Sequence, residues 1–308
     1  MNGNKIIVVG IFVVDLSFNA NKLPSPGETI IGENYFIGPG GKGSNQSVAI
    51  SRSGGKVSLI ARIGDDQFGK VGLELYKKEK VNTKGLIIAQ NEKTGSAAIS
   101  IDKEGMNSII VVPGTALGLN QSMIDDNISL INNASIMLTG FEVPLEIAAY
   151  CLMQAKAKNI KTILNPAPYL NTDHYIYKSV DYLTPNEHEA SSLTKMQVKS
   201  IDDARVAGRK ICELGVGTSI ITMGEKGVLC TRNTNDLEGI YIPSFKLKQK
   251  VIDTVGAGDV FNGAFATAIS EKMELEDALN FANKAASLSV TRKGAALSAP
   301  YRNEINQL

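Results

Sequence analysis

Residues 253–263 (DTVGAGDVFNG) combine a carboxylate with two closely spaced glycines. Gly256 and Gly258 precede a run whose apolar residues recur at helical spacing, so backbone N–H groups should converge at a helix N-terminus that stabilises a phosphate or phosphoryl oxyanion. Asp259 lies at the same end, where its carboxylate could accept the proton of a substrate hydroxyl. Asp is also a frequent helix N-cap, so this segment alone leaves a purely structural role open.

A second segment, residues 38–46 (GPGGKGSNQ), is rich in glycine and contains the G-x-G-x-x-G spelling of dinucleotide-binding loops. It follows a predicted strand outside the core alternation, so the βαβ context that gives the spelling meaning is missing. Lys42 and Asn45 offer hydrogen-bonding groups suited to a small polyol. A plain glycine-rich turn is the alternative interpretation.

Two further segments follow predicted strands. Asn186 and Glu189 are one helical turn apart and share a face, where an amide and a carboxylate suit Mg²⁺ held through its water shell. The same spacing also fits a capping box, with Asn186 as the N-cap. Residues 222–227 (TMGEKG) could border a nucleotide or form an ordinary β-turn.

The elements that must position these groups alternate along the chain. Short apolar runs predict strands at residues 6–14, 57–61, 136–138, 161–164, 182–184 and 219–222. Unbroken runs of this kind are typical of strands buried on both faces of a parallel sheet. Between them lie amphipathic helix patterns such as residues 144–158. The alternation predicts an α/β fold with a doubly wound, mainly parallel sheet flanked by helices.

Two stretches, residues 29–37 and 96–112, look like strands without an intervening helix, and the second contains a turn at residues 102–105. They predict a small β-sheet that covers a site beside the main sheet. We therefore expect one catalytic domain over residues 1–308, with lid segments at about 13–40 and 95–113.

The composition narrows the class of protein. Thirty-two basic residues balance thirty-one acidic ones, so no overall field attracts nucleic acid or a membrane surface. The run at residues 6–14 is better explained as a strand than as a signal peptide, and no apolar stretch reaches the length of a spanning helix. Three scattered cysteines are expected to be buried, reduced thiols, and a zinc site is not expected. A soluble, cytoplasmic protein is predicted.

Seven short motifs occur in an order that identifies the chain as similar to the ribokinase family of PfkB-type carbohydrate kinases. They are PGET at 26–29, GGKG at 40–43, GDD at 64–66, NPAP at 165–168, NEHE at 186–189, GAGD at 256–259 and VTRKGA at 290–295. The resemblance extends from Ile6 to about Pro300. It implies the ribokinase-like fold and ATP-dependent phosphorylation of a sugar at its primary hydroxyl, with Mg²⁺.

The resemblance also implies roles for individual residues. Asp259 resembles the catalytic base, and the backbone of Gly256, Ala257 and Gly258 resembles the anion hole. Nucleotide and Mg²⁺ binding is implied for Asn186, Glu189, Thr222, Gly224, Gly227 and Gly258. Sugar binding is implied for Asp15, Gly41, Lys42, Asn45, Glu142 and Asp259. An activating K⁺, held mainly by backbone carbonyls, is implied at Asp253, Val255, Ser289, Arg292, Gly294 and Ser298. A homodimer formed through the lid sheets is implied as well.

Two positions depart from the family pattern. Val13 lies two residues before Asp15, where ribose-specific members carry Asn and relatives that prefer 2-deoxyribose carry an apolar residue. D-ribose is the expected substrate, with 2-deoxyribose or another sugar or nucleoside as alternatives. Asn283 replaces a His that many members have near the adenine, and its amide can still form hydrogen bonds there.

Two other functions have less support in the sequence. An NAD-dependent dehydrogenase would rest on the G-x-G-x-x-G spelling alone, and the acidic residue expected about twenty residues further on is missing in the right strand context. A sugar sensor derived from a kinase would be expected to have lost Asp259 or the glycines before it. Both features are present.

Overall fold

The protein is described by a computed structural model that covers residues 4–247 and 249–308. A nine-stranded main sheet has the strand order β13-β12-β11-β10-β9-β8-β1-β4-β5. Its strands are β1 (Lys5–Val9), β4 (Lys56–Gly64), β5 (Asn82–Ala89), β8 (Ile136–Gly140), β9 (Lys161–Asn165), β10 (Tyr182–Leu183), β11 (Thr218–Thr222), β12 (Val228–Thr231) and β13 (Ile240–Ile242). Neighbouring strands are parallel except in the two pairs that β12 forms.

Helices cover both faces of the main sheet. They are α1 (Lys42–Arg52), α2 (Gln67–Lys78), α3 (Gln121–Asp126), α4 (Ile128–Asn132), α5 (Leu145–Ala157), α6 (Glu187–Thr194), α7 (Ile201–Glu213), α8 (Ala257–Ser270), α9 (Leu275–Ser289) and α10 (Arg302–Asn306). Alternate residues of β1 point to opposite faces, so Ile6 and Val8 join one apolar core while Ile7 and Val9 join the other. The predicted doubly wound α/β fold is confirmed.

A separate four-stranded sheet, called here the small sheet, has the strand order β3-β2-β6-β7. It consists of β2 (Val13–Asn19), β3 (Asn34–Gly40), β6 (Thr94–Ile101) and β7 (Asn107–Gly114). The central pair β2 and β6 is parallel, and both edge pairs are antiparallel. Its strands overlap the predicted lid segments, although β6 begins at Thr94 and β7 ends at Gly114, each one residue outside the segment at about 95–113.

The predicted strand at residues 6–14 is wrong as a single element. The chain leaves the main sheet at Val9 and enters the small sheet at Val13. A Cβ added at Gly10 would lie 2.6 Å from the Cα of Gly43, so the connection passes directly against the start of α1. Apolar content is the same on both sides of the break, which explains why the run looked continuous.

Other predicted boundaries need smaller changes. Strand β3 begins at Asn34, because its pairing with β2 ends at Asn19, so the predicted strand at 29–37 starts too early. The predicted hairpin is present, with its turn between Ile101 and Asn107. The predicted helix at 144–158 is α5 with its two flanking cap residues. Within the described residues, none of the helices combines the length and the apolar character that a membrane span requires.

Candidate active site

The carboxylate of Asp259 lies at the start of α8, and its side chain is 5% exposed. The N-cap of α8 is Gly256, whose φ of 78° favours glycine, and a Cβ there would lie 2.7 Å from the Cα of Ala295. Asp259 is therefore the third helical residue, and the interpretation of it as the N-cap is wrong. The N–H of Ala257 donates to the carbonyl of Thr254 at 3.3 Å, whereas the N–H of Gly258, the second residue of α8, belongs to the first turn, whose N–H groups have no partner within the helix and can bind an anion.

Two amides hold the Asp259 carboxylate. Asn45 Nδ2 donates to Oδ2 at 3.0 Å, and Gln46 Nε2 donates to Oδ1 at 3.1 Å. Both amides lie in the first turns of α1, which crosses α8 so closely that a Cβ at Gly263 would lie 2.8 Å from the carbonyl oxygen of Gln46. Because Gly263 has no side chain, α1 and α8 can approach closely enough for Asn45 and Gln46 to donate to Asp259.

Lys42 provides a positive charge close to the carboxylate of Asp259. Burial raises the pKa of Asp259, while the Lys42 ammonium and the two amides oppose that rise. The negative charge of Asp259 is in turn the main cause of a raised pKa at Lys42, with Glu142 and Glu189 adding to it. Lys42 therefore stays a cation among several carboxyl groups.

A second acidic group lies where the small sheet meets the main sheet. Burial, helped by the charge of Asp259, raises the pKa of Asp15 in β2 to about 6. Burial likewise raises the pKa of Glu142 to about 7, and its Oε2 accepts a 2.7 Å hydrogen bond from the backbone N–H of Lys42. The Asp15 carboxylate packs on Gly40, where a Cβ would lie 2.3 Å from Oδ1. These groups can bind the hydroxyls of a polyol.

A cavity of about 780 Å³ adjoins Asp259 on the other side. It brings together the predicted residues Lys42, Asn186, Glu189, Thr222, Gly224, Gly227, Gly256, Ala257, Gly258, Asp259 and Asn283. The predicted sugar-binding residues Val13, Asp15, Gly41, Asn45 and Glu142 are not in its wall. They are connected to it through the contacts of Glu142 with Lys42 and of Asn45 with Asp259.

Asn186 and Glu189 form the capping box of α6. Asn186 Oδ1 accepts from the N–H of Glu189, and Glu189 Oε2 accepts from the N–H of Asn186, both at 2.8 Å. The capping interpretation is confirmed, yet the pair also lines the cavity. Its hard oxygen donors fit Mg²⁺ held through water. In the described parts of the chain no group of three or more His, Cys, Asp or Glu residues could hold a metal ion by itself.

The residues predicted around a K⁺ ion lie on two adjacent loops. Asp253 accepts 3.0 Å hydrogen bonds from the N–H groups of Val255 and Gly294, which joins the loops. The hydroxyls of Ser289 and Ser298 donate to carbonyls three residues before them, and Arg292 pairs with Glu304. The side chains of Val255 and Arg292 offer no oxygen to a cation, so a cation there would be held mainly by carbonyl oxygens, with Asp253 as the one carboxylate of the predicted set.

Several residues of the site were missed from sequence. The loop between β13 and α8 contributes Ser244, Phe245, Leu247, Gln249 and Val251 to the cavity wall. This loop has no periodic pattern that a sequence reading could use. Asn283 donates to the carbonyl of Pro243 at 2.7 Å and thereby joins α9 to the same loop.

Gln46 and Asn165 belong to two of the sequence motifs described above, but the sequence predicts no role for either residue. Gln46 adjoins the predicted sugar contact Asn45, and Asn165 opens the NPAP motif. The only sequence feature that could have indicated a role for them is that each lies beside or within a predicted motif.

Comparison with known proteins shows the family to which the chain belongs. The model of the pfkB family carbohydrate kinases matches residues 4–302. A ribokinase of Haemophilus influenzae is 35% identical over 301 residues, covering 97% of this chain and 96% of the relative. A deoxyribokinase of Salmonella typhi is 33% identical over 303 residues, covering 98% and 97%. The structure of Arabidopsis thaliana ribokinase complexed with ribose and ATP has a TM-score of 0.90 and 31% identity, covering 99% and 98%. This chain belongs to the pfkB family of carbohydrate kinases.

Proposed function

We propose that this protein transfers the γ-phosphate of ATP to the primary hydroxyl of a pentose, with D-ribose as the substrate. The observation that carries the proposal is the position of Asp259. Its buried carboxylate lies at a helix N-terminus, lines the 780 Å³ cavity, and is close enough to the carboxyl groups of Asp15 and Glu142 to raise their pKa values. A base in this position can reach both a sugar hydroxyl and the phosphate that the hydroxyl attacks.

In this proposal the sugar lies beneath the small sheet, which acts as a lid over one catalytic domain spanning residues 1–308. Asp15 and the amide of Asn45 bind its hydroxyls, and Gly41 allows close approach of the backbone because its φ of 86° suits only glycine. The side-chain oxygen Oδ1 of Asn45 is buried and has no hydrogen-bond partner among the described residues, so it is available to accept a hydrogen bond from a sugar hydroxyl. Asp259 then removes the proton of the attacking hydroxyl as the oxygen reaches the γ-phosphorus.

ATP occupies the 780 Å³ cavity in this proposal. Lys42 and the N–H of Gly258 stabilise the transferring phosphoryl group, and residues 222–227 and Asn283 border the nucleotide. Asn186 and Glu189 would hold Mg²⁺ through water. When bound, this ion neutralises phosphate charge and orients the phosphates for in-line transfer. K⁺ would be held by Asp253 and by carbonyls of the loops that carry Val255, Ser289, Arg292, Gly294 and Ser298.

The choice of D-ribose rests on the relatives named ribokinase, and 2-deoxyribose remains the second candidate because of Val13. The Val13 side chain is 4% exposed and packs in an apolar cluster with Ile11 and Phe141. It lies on the same face of β2 as Asp15, two residues away. A buried Val offers methyl groups instead of a hydrogen bond to a sugar hydroxyl, and losing such a bond costs about 0.5–1.5 kcal/mol.

The test is ATP-dependent phosphorylation of a panel of sugars with Mg²⁺, with and without K⁺. We expect kcat/KM for D-ribose to exceed that for 2-deoxy-D-ribose, and added K⁺ to increase kcat. Val13→Asn is the matched variant, and it should shift the ratio of the two kcat/KM values further toward D-ribose. A preference for 2-deoxyribose would assign the enzyme to the second candidate. Turnover of neither sugar would contradict the assignment to a pentose.

The small sheet also supports a proposed homodimer. Its register places Ile37, Leu16, Ala98 and Ile110 in one row across the sheet, on the face opposite Asp15. Tyr35, Phe18 and Val112 lie on that same face, and Ile110 is 68% exposed. A second copy of the chain, presenting the same apolar face, would cover it. Three buried free cysteines and the use of ATP support a cytoplasmic location.

A further inference from the structure

A circuit of buried hydrogen bonds leaves the first turn of α8 and returns to it. Gln46 Nε2, which donates to Asp259, also lies 3.4 Å from Asn165 Oδ1. Asn165 Nδ2 donates to the carbonyl of Thr184 at 3.1 Å, and the Thr184 hydroxyl donates to Asn262 Oδ1 at 2.6 Å. Asn262 Nδ2 then donates to the carbonyl of Gly258 at 2.8 Å. The peptide between Gly258 and Asp259 closes the circuit.

Every side chain in this circuit is buried. Gln46 is 2% exposed, Asn165 7%, Thr184 2% and Asn262 1%. They come from four different elements: α1, the end of β9, the residue after β10, and α8. Buried amides are costly unless they are hydrogen-bonded, so their presence in place of apolar side chains calls for a reason.

Gln46 has the chemistry that its place in the circuit requires. Its amide nitrogen carries two N–H groups, and it faces two acceptor oxygens, one on Asp259 and one on Asn165. A Glu there would turn an acceptor toward both oxygens, and an apolar side chain would leave both without this donor. The amide also connects the carboxylate to the ends of β9 and β10, which are rigid parts of the main sheet.

We propose that Gln46 is a positioning residue that, with Asn165, Thr184 and Asn262, fixes the carboxylate of Asp259 relative to the anion-binding turn at Gly258. The proposal rests on the proposed function only in that Asp259 is the base. Because the circuit joins base and turn, a shift of one moves the other, so the attacking hydroxyl and the phosphoryl group keep their relative geometry. Gln46 itself touches neither substrate.

The decisive variant is Gln46→Met, which keeps the length of the side chain and removes the donor. The matched control is Ser47→Ala, which removes a buried 2.7 Å hydrogen bond to Gly43 one residue further along α1 and touches no part of the circuit. We expect kcat of Gln46→Met to fall about 10- to 100-fold, the cost of a misplaced catalytic group, with KM for ATP within about twofold. Ser47→Ala should retain kcat within about threefold, as expected of a contact outside the circuit.

The pH profile separates positioning from loss of structure. The Gln46 amide stabilises the ionised form of Asp259, so Gln46→Met should move the acid limb of kcat/KM to higher pH, and Ser47→Ala should not. The other charged groups that face Asp259 are Lys42, Asp15, Glu142 and Glu189, and all are unchanged in both variants. Gln46→Glu should move the limb further, because it adds a negative charge beside the base.

Failure of this proposal can be told from failure of the proposed function. If the wild-type protein phosphorylates no sugar, the titration of Asp259 is followed instead by carboxyl ¹³C NMR, with Asp259→Asn used to assign the signal. A midpoint that rises in Gln46→Met, and not in Ser47→Ala, supports the circuit. Equal midpoints, or a loss of kcat that is the same in Gln46→Met and Ser47→Ala, would overturn it.

Discussion

The main sheet and the small sheet are built from similar apolar strands, but the central strands of the main sheet are buried and the edge strands of the small sheet are largely exposed. Four of the five residues of β1 are buried, because helices cover both faces of the main sheet. In β7, at the edge of the small sheet, seven of eight residues are exposed, among them Ile109, Ile110, Val111 and Val112. The apolar strands of the main sheet are therefore covered by helices of the same chain. The small sheet has an apolar surface that remains to be covered from outside.

The two sheets also divide the polar groups of the site. The main sheet and its helices carry Asp259, Lys42 and the cavity wall, whereas the small sheet contributes Asp15. In the proposed function this separates phosphoryl transfer from sugar binding. Substitutions on the side of the main sheet should therefore lower kcat, and substitutions on the side of the small sheet should raise KM for the sugar.

The largest effect is expected on the side of the main sheet. Asp259→Asn should lower kcat about 10²- to 10⁴-fold, because the amide cannot accept the hydroxyl proton. The remaining oxygen of the variant can still accept from Gln46, and rotation of the Asn45 amide can present its Oδ1 to the new N–H groups. The thermal melting temperature should therefore stay near that of the wild type. The measurement is a coupled assay of ADP formation in the presence of sugar. An Asn variant with wild-type kcat would contradict the assignment of the base.

A smaller effect, on a different constant, is expected from the small sheet. Asp15→Asn should lower kcat/KM for the sugar about 10- to 100-fold through a higher KM, because hydrogen bonds to a charged group contribute about 1.5–3 kcal/mol. KM for ATP should be unchanged. Steady-state kinetics with each substrate varied in turn will show this. A fall in kcat with an unchanged sugar KM would break the division between the sheets.

The boundary between the sheets predicts an effect of pH on stability. The pKa of Glu142 rises from 4.5 to about 7 in the folded protein, so the native state binds more protons than the unfolded chain between these values. The contribution of Glu142 to the stability of the substrate-free protein therefore falls as pH rises through this interval. Glu142→Gln removes that loss, and it should raise the free energy of unfolding by about 3 kcal/mol at pH 8 and leave it unchanged near pH 4.

Urea unfolding of the wild-type protein and Glu142→Gln at both pH values is the appropriate measurement. The 2.7 Å contact with the N–H of Lys42 survives in the variant, because the Gln carbonyl oxygen can accept it. An equal gain at pH 4 and pH 8 would show that the charge of Glu142 is not its cause.

The smallest effect on the stability of the subunit is expected at the outer face of the small sheet. Ile110→Lys should change the free energy of unfolding by no more than about 0.5 kcal/mol, since the side chain is 68% exposed. It should nevertheless convert the proposed dimer to monomers, measured by sedimentation velocity. Ile109→Lys, on the opposite face of β7, is the matched control and should remain dimeric. Dissociation of both variants, or of neither, would contradict the proposed interface.

The sequence could predict those parts of the fold that leave a periodic pattern. Buried strands such as residues 161–164 and the amphipathic helix at 144–158 have such patterns, and the motif order led to the kinase family. The break between β1 and β2 was missed, because a change of sheet at Gly10 alters no periodicity. The cavity-wall residues between β13 and α8, such as Ser244 and Val251, were missed because the sequence there has no periodic pattern.

Gln46 shows another limit of sequence analysis. It stands beside Asn45 in a segment that was recognised, but its role depends on Asn165, 119 residues further along the chain. Its contact with Asp259 in turn depends on how closely α1 and α8 approach at Gly263. Only the three-dimensional arrangement reveals it.

The hydrogen bond from Asn45 to Asp259 joins residues 214 positions apart. During synthesis, β1, β4 and β5 can pair long before α8 exists, yet the carboxylate that completes the site arrives only with the last sixth of the chain. Contacts of such long range form late and slowly. Recovery of activity after dilution from denaturant should therefore lag behind recovery of sheet structure. A nascent chain that stops before residue 257 would leave one apolar face of its main sheet without α8 and α9, and so would need protection from aggregation.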